Sequence, residues 1–176
     1  NVPQQAYVKS EVGSLTNTLR FKHKKPIANM PKVGVAWGAE IRGCLIATDG
    51  EVFCGTDLSS LESTTKRHYM FSHDPDYVEV MSQEGFDEHL DLAIFAGATT
   101  VEDVEGFKVA KGKDKKGVKL TNHEQHLYGT VSDIRQDYKQ VNYSGIYGIG
   151  KAALARSLGT NVKAAAQLLS DYWDRN

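Results

Sequence analysis

The spacing of apolar and polar positions predicts a short β-sheet region followed mainly by helices. An apolar-rich run over residues 41–47, the turn Thr48-Asp49-Gly50 and a β-prone run over residues 51–57 predict a hairpin. Asp-Gly between two such runs is a strong short-range turn signal. The second strand would end at Asp57, after which apolar residues recur at helical spacing. The pattern therefore predicts an α+β fold.

Capping residues and glycines set the expected helix boundaries. Asp74-Pro75 predicts the start of a helix, because Asp is a favoured N-cap and proline suits the first turn. Asp87 predicts the start of the next helix. Residues 98–119 are polar, dotted with glycine and rich in lysine, which predicts a surface loop or a hairpin. Further helices are expected over residues 58–70, 133–147 and 151–157, the last closed by Gly159, and after Thr160.

Length and composition allow one ordinary domain or two small ones. The chain has 176 residues, of which 40% are hydrophobic and 24% charged, so it can bury a core. Two cysteines do not make a disulfide framework, and we expect Cys44 and Cys54 to be small buried side chains. No apolar run is long enough to span a membrane, which excludes an integral membrane protein and makes a cytoplasmic location the expectation.

The net charge of -1 conceals blocks of opposite sign. Residues 1–42 carry seven basic and two acidic side chains, whereas residues 43–107 carry two basic and fourteen acidic ones. Residues 108–119 then carry six lysines and one aspartate. Adjacent acidic and basic blocks suit a site that holds cations and polyanions together.

A stripe of two cations and two aromatic residues is the most informative chemical pattern. Arg135, Lys139, Tyr143 and Tyr147 are four residues apart, so on a helix they share one face. The cations could meet the phosphates of a nucleoside triphosphate, and the rings its sugar and base. The pattern alone leaves open a solvated face with aromatic residues packed at its end.

Asp57 at the end of a predicted strand is a candidate magnesium ligand, because Mg²⁺ binds one or two carboxylates together with substrate phosphates. A simple capping role remains open on this feature alone. The six histidines have no cysteine pair to complete a zinc site, and no P-loop or nucleophile-elbow motif occurs.

Two motifs in combination resemble the family A DNA polymerases, of bacteriophage type. Residues 56–62 (Thr-Asp-Leu-Ser-Ser-Leu-Glu) resemble the family's palm motif, and residues 135–148 resemble its fingers motif. Weaker similarities are those of Thr18-Leu19-Arg20 with Asn29-Met30-Pro31, of Gly38, Ile41 and Arg42, and of Phe86-Asp87-Glu88-His89. The family usually has glycine at the position of Leu19.

The resemblance implies template-directed DNA synthesis from deoxynucleoside triphosphates with two Mg²⁺ ions. It implies that residues 1–62 are part of the palm and residues 63–176 part of the fingers, with a Lys-rich insertion over 98–132. Asp57 and the Leu58 carbonyl would be metal ligands, and Lys139 a catalytic general acid. The implied nucleotide-binding residues are Arg135, Lys139, Tyr143, Glu62, His89 and Ser60. The implied DNA-binding residues are Arg20, Arg42, Tyr147 and Gly148.

The family's third motif, which supplies a second metal-binding aspartate, is absent from the sequence. We therefore expect a piece of a longer or split polymerase that is inactive alone and whose remaining segment could be a separate chain. Primer-template DNA is the other expected partner. A non-catalytic nucleotide- or DNA-binding half of a split polymerase is the alternative, and an unrelated magnesium-dependent phosphotransferase is a third.

Overall fold

The computed structural model describes residues 10–16, 19–24 and 29–176. The chain divides into two units, the first ending at Leu58 and the second comprising Ser59–Asn176. The described residues contain eight helices and one two-stranded antiparallel sheet. The α+β prediction, with a small antiparallel sheet and a mainly helical remainder, is confirmed.

A β-hairpin begins the described part of the first unit. Strand β1 (Val12–Leu15) pairs antiparallel with β2 (Phe21–His23), and helix α1 (Gly38–Gly43) follows. In the turn, the Leu19 backbone has a φ of 59°, in the left-handed region. Glycine adopts this conformation at the least cost, and Leu19 stands where the resembled family has glycine.

The hairpin predicted over residues 41–57 is wrong. Its first run contributes residues to α1, and residues 44–58 contain no strand. The turn between the two runs does form, with the Glu51 amide donating to the Thr48 carbonyl at 2.9 Å. Strong local turn chemistry is therefore present without the strand pairing that it predicted.

The physical reason is that the two runs bury none of their larger apolar side chains. Val52 is 88% exposed and Phe53 is 67% exposed. A two-stranded hairpin is marginal in water unless a third strand or a helix covers one face. Cys44 and Cys54 are also exposed, so the expectation that they are buried was wrong.

Seven helices form the second unit, and the last five contribute residues to two apolar clusters. One cluster contains Leu92, Val141 and Leu154, and the other contains Leu90 and Val131. The fourth and sixth helices of the chain contribute residues to both clusters, so they form the centre of the unit. The helices are α2 (Leu61–Met70), α3 (Pro75–Met81), α4 (Glu88–Phe95), α5 (Val101–Lys115), α6 (Asn122–Ile146), α7 (Lys151–Leu158) and α8 (Val162–Arg175).

Local capping chemistry located several of these helices correctly. The Asp74 side chain accepts from the Tyr77 amide, with Pro75 in the first turn, and Asp87 caps α4. Gly159 ends α7 with a φ of 64°. The last helix is capped by Asn161, one residue after the predicted Thr160.

The Lys-rich segment was predicted wrongly, because it forms helix α5 rather than a loop or hairpin. Val104, Phe107 and Ala110 recur at helical spacing on its buried face. Gly106 lies inside the helix and does not break it. A Cβ at this position would lie 2.6 Å from Leu127 Cδ2 of α6, so the two helices approach closely here. The glycine that suggested a loop permits close helix packing.

The N-cap of helix α6 is Thr121, eleven to twelve residues before the predicted cap at Ser132 or Asp133. Its N-terminus carries a reciprocal capping box between Thr121 and Glu124, which satisfies two of the otherwise unpaired amides. Gly145 also lies inside α6. A Cβ there would come 2.2 Å from the Tyr172 ring of α8, so the glycine allows this ring to pack against the helix. The continuous helix carries the whole Arg135-to-Tyr143 stripe.

Candidate nucleotide-binding site

The predicted stripe occupies one face of α6, and Tyr147 directly follows the helix as its C-cap residue. This face meets α2 and α4 of the same unit. Arg135 contacts the start of α4, Tyr143 packs on His89 of α4, and Tyr147 bonds to Glu62 of α2. Residues from three separate segments of the sequence, α2, α4 and the α6 stripe, are thus brought together.

Arg135 forms an ion pair with Asp87 that the sequence did not reveal. Its Nε donates to the Asp87 carboxylate at 2.6 Å, while the other carboxylate oxygen accepts from the His89 and Leu90 amides. Burial opposes ionisation of Asp87, but the hydrogen bond and charge of Arg135 outweigh it and hold the pKa of this carboxyl below its ordinary value. One carboxylate therefore both caps α4 and positions Arg135.

His89 is a buried imidazole, with only 6% of the residue exposed. Desolvation lowers the pKa of His89 to about 4, and the attraction of Asp87 only partly offsets it. The ring meets Tyr143 edge-on at 5.9 Å between centroids, and Nδ1 has no hydrogen-bond partner. At neutral pH the side chain is therefore uncharged and retains unused hydrogen-bonding capacity.

The remaining stripe residues make polar and cation–π contacts. Lys139 Nζ lies 5.7 Å from the centroid of the Tyr143 ring, a distance that suits a cation–π contact. The Tyr147 hydroxyl donates to Glu62 Oε1 at 2.8 Å, which joins the end of α6 to the first turn of α2. Gly148 follows with a φ of 65°, a conformation that disfavours side chains with a Cβ.

A pocket of about 260 Å³ opens beside the Arg135 end of the stripe. It brings together Ser60 at the start of α2 and Asp87, His89 and Arg135. Arg67 and Ser63 of α2 also line it, and neither was singled out from the sequence. Residues 67 and 135 are too far apart along the chain for local periodicity to associate them.

The predicted metal ligands belong to the other unit. Asp57 and Leu58 are exposed in the extended segment that ends the first unit. Their carboxylate and carbonyl oxygens are of the donor type that Mg²⁺ prefers. No group of three or more His, Cys, Asp or Glu side chains suited to a metal occurs in residues 10–16, 19–24 and 29–176.

The predicted DNA-binding arginines also lie in the first unit. The exposed Arg42 donates to the Pro31 carbonyl at 2.7 Å and to the Met30 carbonyl at 3.2 Å, which ties α1 to the preceding segment. Arg20 lies in the turn of the β-hairpin, where its amide donates to Thr16 Oγ1 at 3.1 Å. Thr18 of the same motif lies outside the described residues.

Sequence comparison finds similarity to a DNA polymerase. The chain is 27% identical over 167 residues to DNA polymerase I of Lactococcus lactis subsp. cremoris (strain MG1363). The alignment covers 93% of this chain but only 16% of that polymerase. No family model matches the chain, and no solved structure matches it. The similarity is therefore distant and concerns a short segment of the relative.

None of the helices in residues 10–16, 19–24 and 29–176 is both long and apolar enough to cross a membrane.

Proposed function

We propose that the chain is the nucleotide-binding part of a template-directed DNA polymerase that uses deoxynucleoside triphosphates. The observation that carries this proposal is the convergence of Glu62, His89 and the α6 stripe in one unit. These residues come from three motifs that the sequence shares with family A polymerases. The distant similarity to DNA polymerase I, over nearly the whole chain, supports the same function.

In this proposal the stripe holds the triphosphate along its length. Arg135 and Lys139 bind phosphate oxygens through charge-assisted hydrogen bonds, and neutral His89 donates one more. Lys139 could also protonate the leaving pyrophosphate. Tyr143 lies beside the sugar, and Ser60 lies at the phosphate end. These side chains act by positioning the substrate and by neutralising its charge.

The hydrogen bond between Tyr147 and Glu62 supports roles for both residues at the sugar and the template. Glu62 would block a 2′-hydroxyl and so exclude ribonucleotides. Tyr147 would stack near the templating base, and Gly148 would leave room for the template strand. The Tyr147 hydroxyl fixes the Glu62 carboxylate at 2.8 Å, so the two functions would be coupled.

Asp57 and the Leu58 carbonyl would hold magnesium, with further ligands supplied by substrate phosphates and by a segment outside this chain. When bound, the metal ions would lower the pKa of the primer 3′-hydroxyl and neutralise the leaving pyrophosphate. Arg20 and Arg42 would contact primer-template DNA, where basic side chains neutralise phosphates.

Nucleotide binding by the 176-residue chain tests the proposal. We expect dTTP with Mg²⁺ to bind in isothermal titration calorimetry, and Lys139→Gln to weaken binding by about 10- to 100-fold, the worth of a hydrogen bond to a charged group. Arg135→Gln should act in the same direction. Lys163→Gln, which removes an exposed cation from α8, is the matched control and should bind like the wild type.

The second candidate is a non-catalytic nucleotide- or DNA-binding half of a split polymerase. The incomplete set of metal-ligating side chains among the described residues favours it. Primer extension tests the second candidate, because under either candidate we expect no synthesis by the chain alone. Synthesis that is lost in Asp57→Asn would instead show a self-sufficient catalytic chain and exclude the second candidate.

A further inference from the structure

The pocket in the second unit contains a second arginine that no motif assigns. Arg67 of α2 lines it together with Arg135 of α6. Ser63 and Arg67 are four residues apart and share one face of α2, and Ser60 immediately precedes the helix. All three line the pocket, which shows that this face forms one of its walls.

The Arg67 guanidinium is only weakly engaged within the protein. It donates to the Met81 carbonyl at 3.4 Å and to Thr64 Oγ1 at 3.3 Å, both long for N–H···O hydrogen bonds. No carboxylate forms an ion pair with it in the part of the chain that the structure describes, whereas Arg135 is paired with Asp87. Arg67 therefore keeps its positive charge and most of its donor capacity for a ligand.

Other groups on the pocket wall also favour an anion. Ser60 precedes α2 in a left-handed conformation and makes no side-chain cap, so the first amides of α2 lack that partner. Of the two acidic wall residues, Asp87 pairs with Arg135, whereas Glu88 lies 3.8 Å from Lys66 Nζ and its buried Oε2 accepts no hydrogen bond from the described residues.

The stripe indicates which part of a nucleotide would reach this pocket. Arg135 lines the pocket, whereas Lys139 and Tyr143 do not. Eight residues of helix separate Arg135 from Tyr143, a distance of about 12 Å along the axis. If Tyr143 lies beside the sugar, the pocket lies at the far end of the triphosphate.

We propose that Arg67 binds the terminal phosphate of the incoming nucleotide in the pocket that it lines together with Arg135. This inference rests on the proposed function and assigns a phosphate-binding residue to its site. The planar guanidinium suits two terminal phosphate oxygens, which a single ammonium group cannot match in geometry.

Calorimetric titration of the 176-residue chain with dTTP and with dTDP, both with Mg²⁺, tests the proposal. Arg67→Gln should weaken dTTP binding by about 10- to 100-fold and dTDP binding by much less, because only dTTP carries the γ-phosphate. Arg67→Lys should recover part of the loss, since it restores the charge but not the fork. Arg156→Gln removes an exposed guanidinium from α7, outside the pocket, and should leave both affinities unchanged.

The outcomes distinguish the two proposals. If Arg67→Gln binds dTTP like the wild type while Lys139→Gln binds it more weakly, the Arg67 assignment is wrong and the proposed function stands. If the wild type does not bind dTTP, the proposed function fails and takes the Arg67 assignment with it. Equal losses for dTTP and dTDP, together with a lower urea midpoint, would show a structural role for Arg67 and overturn the assignment.

Discussion

His89 should make the stability of the second unit depend on pH between 6.5 and 4. The residue is 6% exposed, and burial lowers its pKa from 6.5 to about 4 in the folded protein. In this interval the unfolded chain binds a proton at His89 and the folded chain does not. The free energy of unfolding therefore carries no penalty from His89 above pH 6.5, and it falls as the pH drops towards 4.

The magnitude follows from the size of the shift. Each unit of pKa difference corresponds to about 1.4 kcal/mol, so His89 can remove about 3 kcal/mol over the whole interval. Between pH 6.5 and pH 5 the expected loss is about 2 kcal/mol. This is a large fraction of the 5–15 kcal/mol that typically holds a domain folded.

Urea denaturation followed by far-UV circular dichroism measures the effect. The free energy of unfolding of the wild type should fall by about 2 kcal/mol more than that of His89→Gln between pH 7 and pH 5. His126→Gln removes an exposed histidine from the same chain and should follow the wild-type profile. Parallel profiles for wild type and His89→Gln would refute the reasoning, because they would show that His89 is protonated equally in the folded and unfolded states.

Two further predictions concern the tyrosines of the stripe. Tyr147→Phe removes the donor to the Glu62 carboxylate and should lower the free energy of unfolding by about 1.5–3 kcal/mol in urea titrations, whereas Tyr69→Phe, at an exposed ring, should not. In a complete polymerase carrying this segment, Tyr143→Phe should increase discrimination against dideoxynucleotides by roughly 5- to 150-fold in competitive incorporation, because the phenol can replace the missing 3′-hydroxyl. An unchanged dideoxy ratio would contradict the assignment of Tyr143 to the sugar.

Features set by neighbouring residues could be predicted from the sequence, whereas those set by distant residues could not. The cap at Asp87 and the α6 stripe depend on local chemistry and helical period, and both predictions agree with the structure. The Arg135–Asp87 ion pair joins residues 48 apart, so no local pattern indicated it. The prediction of a hairpin over residues 41–57 was wrong for a related reason. Its turn was predicted correctly, but nothing in the sequence showed whether a distant segment would cover its strands.

The position of Gly106 in α5 illustrates the same limit. On intrinsic preference, glycine in a helix interior costs about 1 kcal/mol relative to alanine, so the sequence favoured a loop. The structure shows that a Cβ at this position would lie 2.6 Å from Leu127 Cδ2 of α6, so a larger residue would require that side chain to shift. The packing partner, Leu127, could not be identified beforehand.

In the proposed function, Asp87 would act as an internal substitute for a phosphate group. In the structure it forms an ion pair with the half-buried Arg135 guanidinium. When an incoming anion displaces it from Arg135, its carboxylate still accepts from the His89 and Leu90 amides at the positive end of α4, so it is not left unsatisfied. In the proposed function, this exchange would replace one anion by another at Arg135.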